Sequence, residues 1–238
     1  MFKEYIGELI SVCKDRGFNY NYKRLDNKFR FYYINVNERK DATRSICFSA
    51  GIHGNEHAGI YAVLEFLKTC NTDIHILLFP VANPYGFQNN LRYNSDQKDI
   101  NRRFCDEPLT GEAKVMYDLI CRFNPDFFCS LHEWQGTDGY YMYISDIIKK
   151  DVYSQISDIA SKYFKVFNHC KINEESVNNG MIFHPSSGYE TERSKTTLEN
   201  KIYSIGKHYV CVETPALADL KKRVDCQREI MQFVVENL

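Results

Sequence analysis

Histidine and glutamate side chains stand where the sequence pattern predicts that apolar strands end. His53 and Glu56 follow the run FSAGI, His132 follows FFCSL, and Glu213 follows YVCV. Catalytic zinc is usually held by three such side chains, with one coordination position left for water. His53 and Glu56 are close enough on a tight turn to face one ion, and His132 would complete the site from a second strand. We therefore predict that these three residues bind one zinc ion and that Glu213 takes a proton from the activated water.

The segment between these residues carries arginines that fit the same chemistry. Residues 83–104 read NPYGFQNNLRYNSDQKDINRRF, a loop-like composition that is long for a connection inside a compact domain. Guanidinium groups such as those of Arg92 and Arg102 bind carboxylates bidentately or stabilise a developing oxyanion. The residue types alone leave open a second interpretation, in which the segment is a solvated surface loop.

Strands alternate with helices along the chain, which predicts an α/β fold. Several strands are continuous apolar runs, typical of strands covered by helices on both faces. We therefore predict one domain over residues 1–238, a twisted mixed sheet, largely parallel, flanked by helices. In such sheets ligands bind beyond the carboxyl ends of the strands. The predicted strands are 28–36, 45–52, 73–81, 126–132, 140–144, 163–168 and 208–214, and the predicted helices after the N-terminal one are 59–70, 110–123, 146–164, 196–206 and 216–237.

The bulk composition excludes several classes of partner. The 238 residues are 44% hydrophobic and 26% charged, with a formal net charge of −1, so no basic field exists to bind nucleic acid or an anionic membrane. The nine cysteines form no CxxC pair, which favours free thiols in a reducing compartment. The N-terminal segment MFKEYIGELISVCK predicts an amphipathic helix and not a signal peptide, so we expect a cytoplasmic location.

Four motifs in order resemble those of the zinc carboxypeptidases, the family typified by the pancreatic digestive enzymes. HGNE matches the family's H-x-x-E zinc pair, and NPYG, Arg92 and DINRRF match the run that follows it. SLHEW matches the segment of the third ligand, and VETP that of the catalytic glutamate. The resemblance covers residues 46–225 and is greatest to a compact intracellular branch. It implies a mixed sheet flanked by helices, in agreement with the prediction above.

The resemblance also implies roles for individual residues. Arg92 would polarise the scissile carbonyl, and Asn101 and Arg102 would bind the free carboxylate of the substrate. Glu213 would act as general base and then protonate the leaving amine. The family's flexible tyrosine, upstream of the catalytic glutamate, has a candidate counterpart in Tyr189 of HPSSGYETE.

Two other functions remain open from the sequence. The related aspartoacylase and succinylglutamate desuccinylase group shares H-x-x-E and Asp-x-Asn-Arg-x-Phe, which would make the substrate an acyl-amino acid and not a peptide. Those enzymes generally add a C-terminal β domain, whereas this chain ends in the helix after VETP. A non-catalytic binding module would need neither Glu213 nor Arg92, so their presence favours an enzyme. The oligomeric state is not predicted.

Overall fold

A mixed β-sheet with helices on both faces forms the centre of the protein. The structure is a computed structural model that describes residues 1–26, 28–38, 44–136, 138–145, 150–167, 171–172, 175–183 and 194–237. Its strands are β1 (Asn19–Arg24), β2 (Arg30–Val36), β3 (Ser45–Ala50), β4 (His75–Phe79), β5 (Phe127–Trp134), β6 (Gly139–Ile144), β7 (Lys165–Val166), β8 (Lys171–Ile172), β9 (Glu175–Ser176), β10 (Met181–Phe183) and β11 (His208–Pro215). Its helices are α1 (Phe2–Arg16), α2 (His57–Thr69), α3 (Pro84–Asn89), α4 (Gly111–Phe123), α5 (Lys150–Ser161), α6 (Leu198–Ser204) and α7 (Leu220–Asn237).

The sheet has a parallel centre, antiparallel pairs on either side of it, and parallel pairing of β6 with β10 at one edge. Among the described residues its strand order is β1-β2-β4-β3-β5-β11-β6-β10, with β7 beside β6. Strands β4, β3, β5 and β11 run parallel to one another, while β11 pairs with β6, β4 with β2 and β2 with β1 in antiparallel fashion. The predicted α/β class and mixed sheet are therefore confirmed. The carboxyl ends of β3, β4, β5 and β11 meet at one edge, where the polar motifs lie.

Apolar side chains bury both faces of the central strands. On β3, Ile46 and Phe48 lie in the larger core, which includes residues of α1, α2, α5 and α7. Cys47, between them, lies in the second core, with residues of α4 and α6. This alternation explains why the strand sequence is an uninterrupted apolar run.

The structure differs from the predicted elements in several places, and the short strands β8, β9 and β10 are among those not predicted. Residues 83–104, predicted as loop, begin with α3, because the Asn83 side chain accepts a hydrogen bond from the Gly86 amide and Pro84 occupies the first helical turn. Strand β1 was not predicted, since its residues NYNYKR are polar and mostly exposed. The eight cysteines within the described ranges are free, as predicted, and no helix there is long and apolar enough to cross a membrane.

Candidate metal and catalytic site

A tight turn between β3 and α2 presents the first two predicted ligands. Gly51 has a φ of +64°, a backbone conformation that residues with a Cβ atom rarely adopt. A Cβ on Gly54 would lie 2.0 Å from the Gly86 carbonyl carbon, so this turn is pressed against α3. The Glu56 amide donates to the His53 carbonyl at 3.1 Å, and α2 begins at the next residue. The two glycines thus allow a turn that directs His53 and Glu56 to the same side.

His53, Glu56 and His132 come together in the structure, although His132 belongs to a different strand. Nδ1 of His53 lies 2.6 Å from Oε1 of Glu56, and Nδ1 of His132 lies 3.0 Å from Oε2 of the same carboxylate. The three side chains offer ligand atoms that all lie within 4.8 Å of one another. The residues are 4%, 6% and 2% exposed, so this is an interior cluster.

The charges of this cluster depend on one another. Burial alone would raise the pKa of Glu56, but His53 and His132 outweigh it and hold that pKa well below its usual range. Burial would lower the pKa of His132, but Glu56, Glu199 and Glu213 together raise it well above its usual value. Two imidazoles and a carboxylate with a strong preference for the ionised form are the donor set that zinc takes in catalytic sites. The residues present therefore fit the predicted metal.

A carboxylate and a guanidinium lie directly behind His53. Asp99 places Oδ1 3.2 Å from Nε2 of His53, and its Oδ2 accepts from Nε of Arg92 at 2.9 Å. Nη1 of Arg92 is also 3.5 Å from Oε1 of Glu56. Burial opposes ionisation of Asp99, yet its contacts with His53 and Arg92 hold its pKa well below the ordinary value. Asp99 was not singled out from the sequence, although it is the aspartate of the DINRRF motif.

A second carboxylate, Glu199, lies behind His132. It is buried in the first turn of α6, and its Oε1 is 3.5 Å from Nε2 of His132. Its Oε2 accepts a hydrogen bond from Nδ2 of Asn101 at 3.2 Å. Burial works against ionisation here too, but the His132 contact lowers the pKa of Glu199 to about 2. A glutamate at a helix start is ordinary, so no sequence signal identified Glu199.

Glu213 stands beside the cluster on β11. It is the Cα partner of His132 on the neighbouring parallel strand, so the two side chains lie on the same face of the sheet. Glu213 is partly exposed, while its Oε2 is buried and has no hydrogen-bond partner among the described residues. Burial raises the pKa of Glu213 to about 8; His132 opposes this shift, whereas Glu56 adds to it. A carboxyl with such a pKa can exchange a proton near neutral pH.

Glu133 anchors the cluster from the opposite face of β5. Its amide donates to Oε2 of Glu56 at 3.2 Å. Its side chain accepts from the Ala58 amide at 2.9 Å and pairs with Arg223 of α7. This network joins β5 to the start of α2 and so fixes the distance between two of the predicted ligands.

The predicted substrate-binding residues have mixed placements. Asn101 and Arg102 lie in a 3₁₀ turn, Ile100–Arg102, immediately after Asp99. The Asn101 side chain is buried and its Oδ1 accepts from the Leu198 amide at 2.8 Å. Nη1 of Arg102 donates to the Asn101 carbonyl at 2.6 Å. Tyr189 lies outside the described residues.

A cavity opens next to the cluster. It has a volume of about 330 Å³ and includes Glu56 and Arg92 in its lining, so a bound molecule would contact both. Neither Asn101 nor Arg102 is part of that lining. The lining residues are Asn55, Glu56, Arg92, Glu133, Trp134, Gln135, Gly136 and Ala216.

Comparisons with known proteins find similar hydrolases. The model of the succinylglutamate desuccinylase/aspartoacylase catalytic domain matches residues 42–133, which hold the three predicted ligands. The curated carboxypeptidase SOL1 of Arabidopsis thaliana is 22% identical over 202 residues. That match covers 71% of this chain, and the chain spans only 41% of the length of that relative.

Solved structures extend the likeness to nearly the whole chain. A candidate metallopeptidase from Shewanella amazonensis superposes with a TM-score of 0.85 at 20% identity, covering 98% of this chain and 92% of that one. A metallo-carboxypeptidase from Burkholderia cenocepacia gives 0.73 at 13% identity, covering 98% and 68%. The chain has the zinc carboxypeptidase fold. The resemblance read from the motifs is thereby confirmed, and the enzyme classes of these relatives support the prediction of a zinc carboxypeptidase-like hydrolase.

Proposed function

We propose that this zinc carboxypeptidase-like protein is a zinc-dependent hydrolase that cleaves a peptide or amide bond next to a free carboxylate. The observation that carries this proposal is the convergence of Nδ1 of His53 and Nδ1 of His132 on the two oxygens of Glu56, with Glu213 on the adjoining strand. His53, Glu56 and His132 would hold one zinc ion. When bound, zinc would lower the pKa of a coordinated water to about 7 and polarise the substrate carbonyl.

Glu213 carries the proton transfers in this proposal. Its Oε2 has no hydrogen-bond partner among the described residues, so the atom is available to accept the proton of the attacking water. The same carboxyl, once protonated, donates to the leaving amine as the scissile bond breaks. Burial raises the pKa of Glu213 from its ordinary value toward the neutral range, where a carboxyl can both take up and release a proton.

The arginines supply the positive charge that the substrate requires. Arg92 lines the cavity and is held by Asp99, so its guanidinium is positioned to stabilise the oxyanion that forms when the carbonyl is attacked. Asn101 and Arg102 would bind the free carboxylate, and Tyr189 would be a further substrate contact. Because the Asn101 amide already contacts Leu198 and Glu199, its remaining N–H is the one left for substrate.

The exchange Glu213→Gln tests the proposal. We expect kcat to fall by about 10²- to 10⁴-fold, because an amide cannot take a proton, while one zinc per chain is retained. Hydrolysis of a panel of peptides and acyl-amino acids and the zinc content of the purified protein are the measurements. Glu112→Gln, a buried glutamate on α4, is the matched control and should leave turnover unchanged. Unchanged turnover in Glu213→Gln would remove Glu213 from the mechanism, and a folded protein without zinc would overturn the function.

The alternative is an N-acyl amino-acid deacylase of the aspartoacylase and succinylglutamate desuccinylase kind. The match of residues 42–133 to that family's catalytic model favours it specifically. N-acetyl-Asp and N-succinyl-Glu, compared with short peptides in the same assay, separate the two functions. Robust deacylation without peptide cleavage would establish the alternative.

A further inference from the structure

We propose that Glu199 is a positioning residue of the metal centre, which holds the His132 ring with Nδ1 turned toward Glu56 and ties that ring to Asn101. The inference rests on the proposed function, because it takes His132 as a zinc ligand and Asn101 as a substrate contact. Glu199 would touch neither zinc nor substrate, and would act through the two residues that do.

The ring of His132 needs an acceptor on its far side. An imidazole that binds a metal through Nδ1 is neutral and carries its proton on Nε2, which must be hydrogen-bonded for the ring to keep its orientation. Nε2 of His132 faces Oε1 of Glu199 at 3.5 Å, and each of these buried atoms has no hydrogen-bond partner in the described part of the chain. A small approach of the two groups would make the bond that a neutral, metal-binding ring requires.

The two histidines have the same arrangement. Each turns Nδ1 toward Glu56 and Nε2 toward a second carboxylate, which is Asp99 for His53 and Glu199 for His132. Asp99 belongs to a motif that the sequence makes visible, whereas Glu199 comes from a helix far along the chain. Pairing of a ligating histidine with a carboxylate fixes the tautomer and raises the basicity of the ligand.

Glu199 also connects the metal centre with the predicted carboxylate site. Its Oε2 accepts from Nδ2 of Asn101, while Oδ1 of Asn101 accepts from the Leu198 amide. The Asn101 amide is therefore held at both ends by the start of α6. A change at Glu199 should alter substrate affinity through Asn101 as well as metal affinity through His132.

An alternative role for Glu199 is that of a direct ligand in a second metal site. His132, Glu199 and Cys211 also offer three ligand atoms within 4.8 Å of one another, all from buried residues. Nδ1 of His132 already faces Glu56, and Oε2 of Glu199 already accepts from Asn101, so both side chains are engaged by the first cluster. We therefore place Glu199 behind the ligand and not in a second metal site.

The test measures zinc affinity without substrate, by competition with a chromogenic chelator, together with the visible spectrum of the Co²⁺-substituted protein. We expect Glu199→Ala to weaken zinc binding by about 10- to 100-fold and to change the cobalt spectrum. The zinc affinity of Glu199→Gln should lie between those of the alanine variant and the wild type, since the amide oxygen of the new side chain can still accept a hydrogen bond from Nε2 of His132. Glu112→Ala and Glu112→Gln remove an equally buried carboxylate elsewhere, and should keep wild-type zinc affinity.

The outcomes are distinct. Wild-type zinc affinity and an unchanged cobalt spectrum in Glu199→Gln would overturn the positioning role; this variant decides the matter if the alanine variant does not fold. Two zinc ions per chain, one of them lost in Cys211→Ser, would make Glu199 a direct ligand and also overturn it. Weakened zinc binding in a protein that hydrolyses no carboxylate-bearing substrate would sink the proposed function alone. A wild-type protein that takes up no zinc would overturn both.

Discussion

At the scale of single residues, the site is a set of buried charged groups that lie close to one another. The Glu56 carboxylate contacts both histidines and accepts a hydrogen bond from the Glu133 amide. The Asp99 carboxylate contacts His53 and accepts a hydrogen bond from Arg92. Such clusters are stable only when every charge has a partner, because an unpaired buried charge costs several kcal/mol. Removal of any one member therefore disturbs its neighbours as well as its own function.

A buried glutamate outside the site gives a prediction about pH. Glu112 accepts from Nδ2 of Asn94 at 2.9 Å, and burial raises its pKa above the value of 4.5. As the pH rises above 4.5, the unfolded chain releases this proton while the folded protein retains it, so the free energy of unfolding falls until the folded pKa is passed. Glu112→Gln removes this loss, so its free energy of unfolding relative to that of the wild type should be higher at pH 8 than at pH 4.5. Urea unfolding of the variant and of the wild type at both pH values measures this change. An equal difference in the free energy of unfolding at the two pH values would contradict the prediction.

The sequence carried unequal information about these residues. His53, Glu56, His132 and Glu213 could be predicted as a group, because metal-ligand residue types recur after apolar runs that must end at one sheet edge. Glu199 could not, since its type and its helix-start position are common and only the fold brings it within reach of His132. The catalytic and substrate-binding roles stay predictions.

At the scale of elements, the site depends on close contact between one turn and one short helix. Gly54 lies against the backbone of Gly86 and Phe87 in α3, with no room for a side chain. The strands that carry the site were predictable because they are continuous apolar runs. Helix α3 was not, since the Asn, Pro and Gly that begin it are equally typical of a turn.

The contact between Gly54 and α3 predicts how the addition of one methyl group at Gly54 changes stability and zinc affinity. Gly54→Ala should lower the free energy of unfolding by about 1–3 kcal/mol or more, because the added Cβ displaces the turn from α3. Since the turn presents His53 and Glu56, zinc affinity should fall in the same variant. Gly7→Ala in the exposed part of α1, where a Cβ meets nothing within 4 Å, is the control and should add about 0.5–1 kcal/mol. Thermal unfolding measures the stability of both variants, and chelator competition measures their zinc affinity. Wild-type zinc affinity in Gly54→Ala would contradict the expectation.

At the scale of the whole molecule, the ligand set exists only in the folded chain. Its members come from the β3–α2 turn and from β5, which are joined in space by the parallel β3–β5 pairing. A metal that binds the folded state and not the unfolded one stabilises the protein by mass action. Metal occupancy and folding should therefore be coupled.

Zinc should accordingly raise the melting temperature. At a free zinc concentration of 100 Kd the gain is about 2.7 kcal/mol, or about 5–10 °C for a chain of this size. Differential scanning fluorimetry with and without chelator measures the shift. Ca²⁺, which prefers oxygen ligands, should produce none. His132→Ala should abolish the zinc response, and an equal shift in that variant would place the zinc elsewhere.

The register of β5 and β11 has a consequence for how the protein can change. His132 and Glu213 sit opposite each other on one ladder of backbone hydrogen bonds, so their separation is set by the spacing of adjacent strands, about 4.8 Å. Residues 135–207 connect β5 to β11 along the chain. The distance between the proposed base and its neighbouring ligand therefore follows from strand pairing and not from the length of that connection, although Glu199 within it contacts His132. The spacing of the two proposed reactive groups is thus a property of the sheet and not of the connection between the strands.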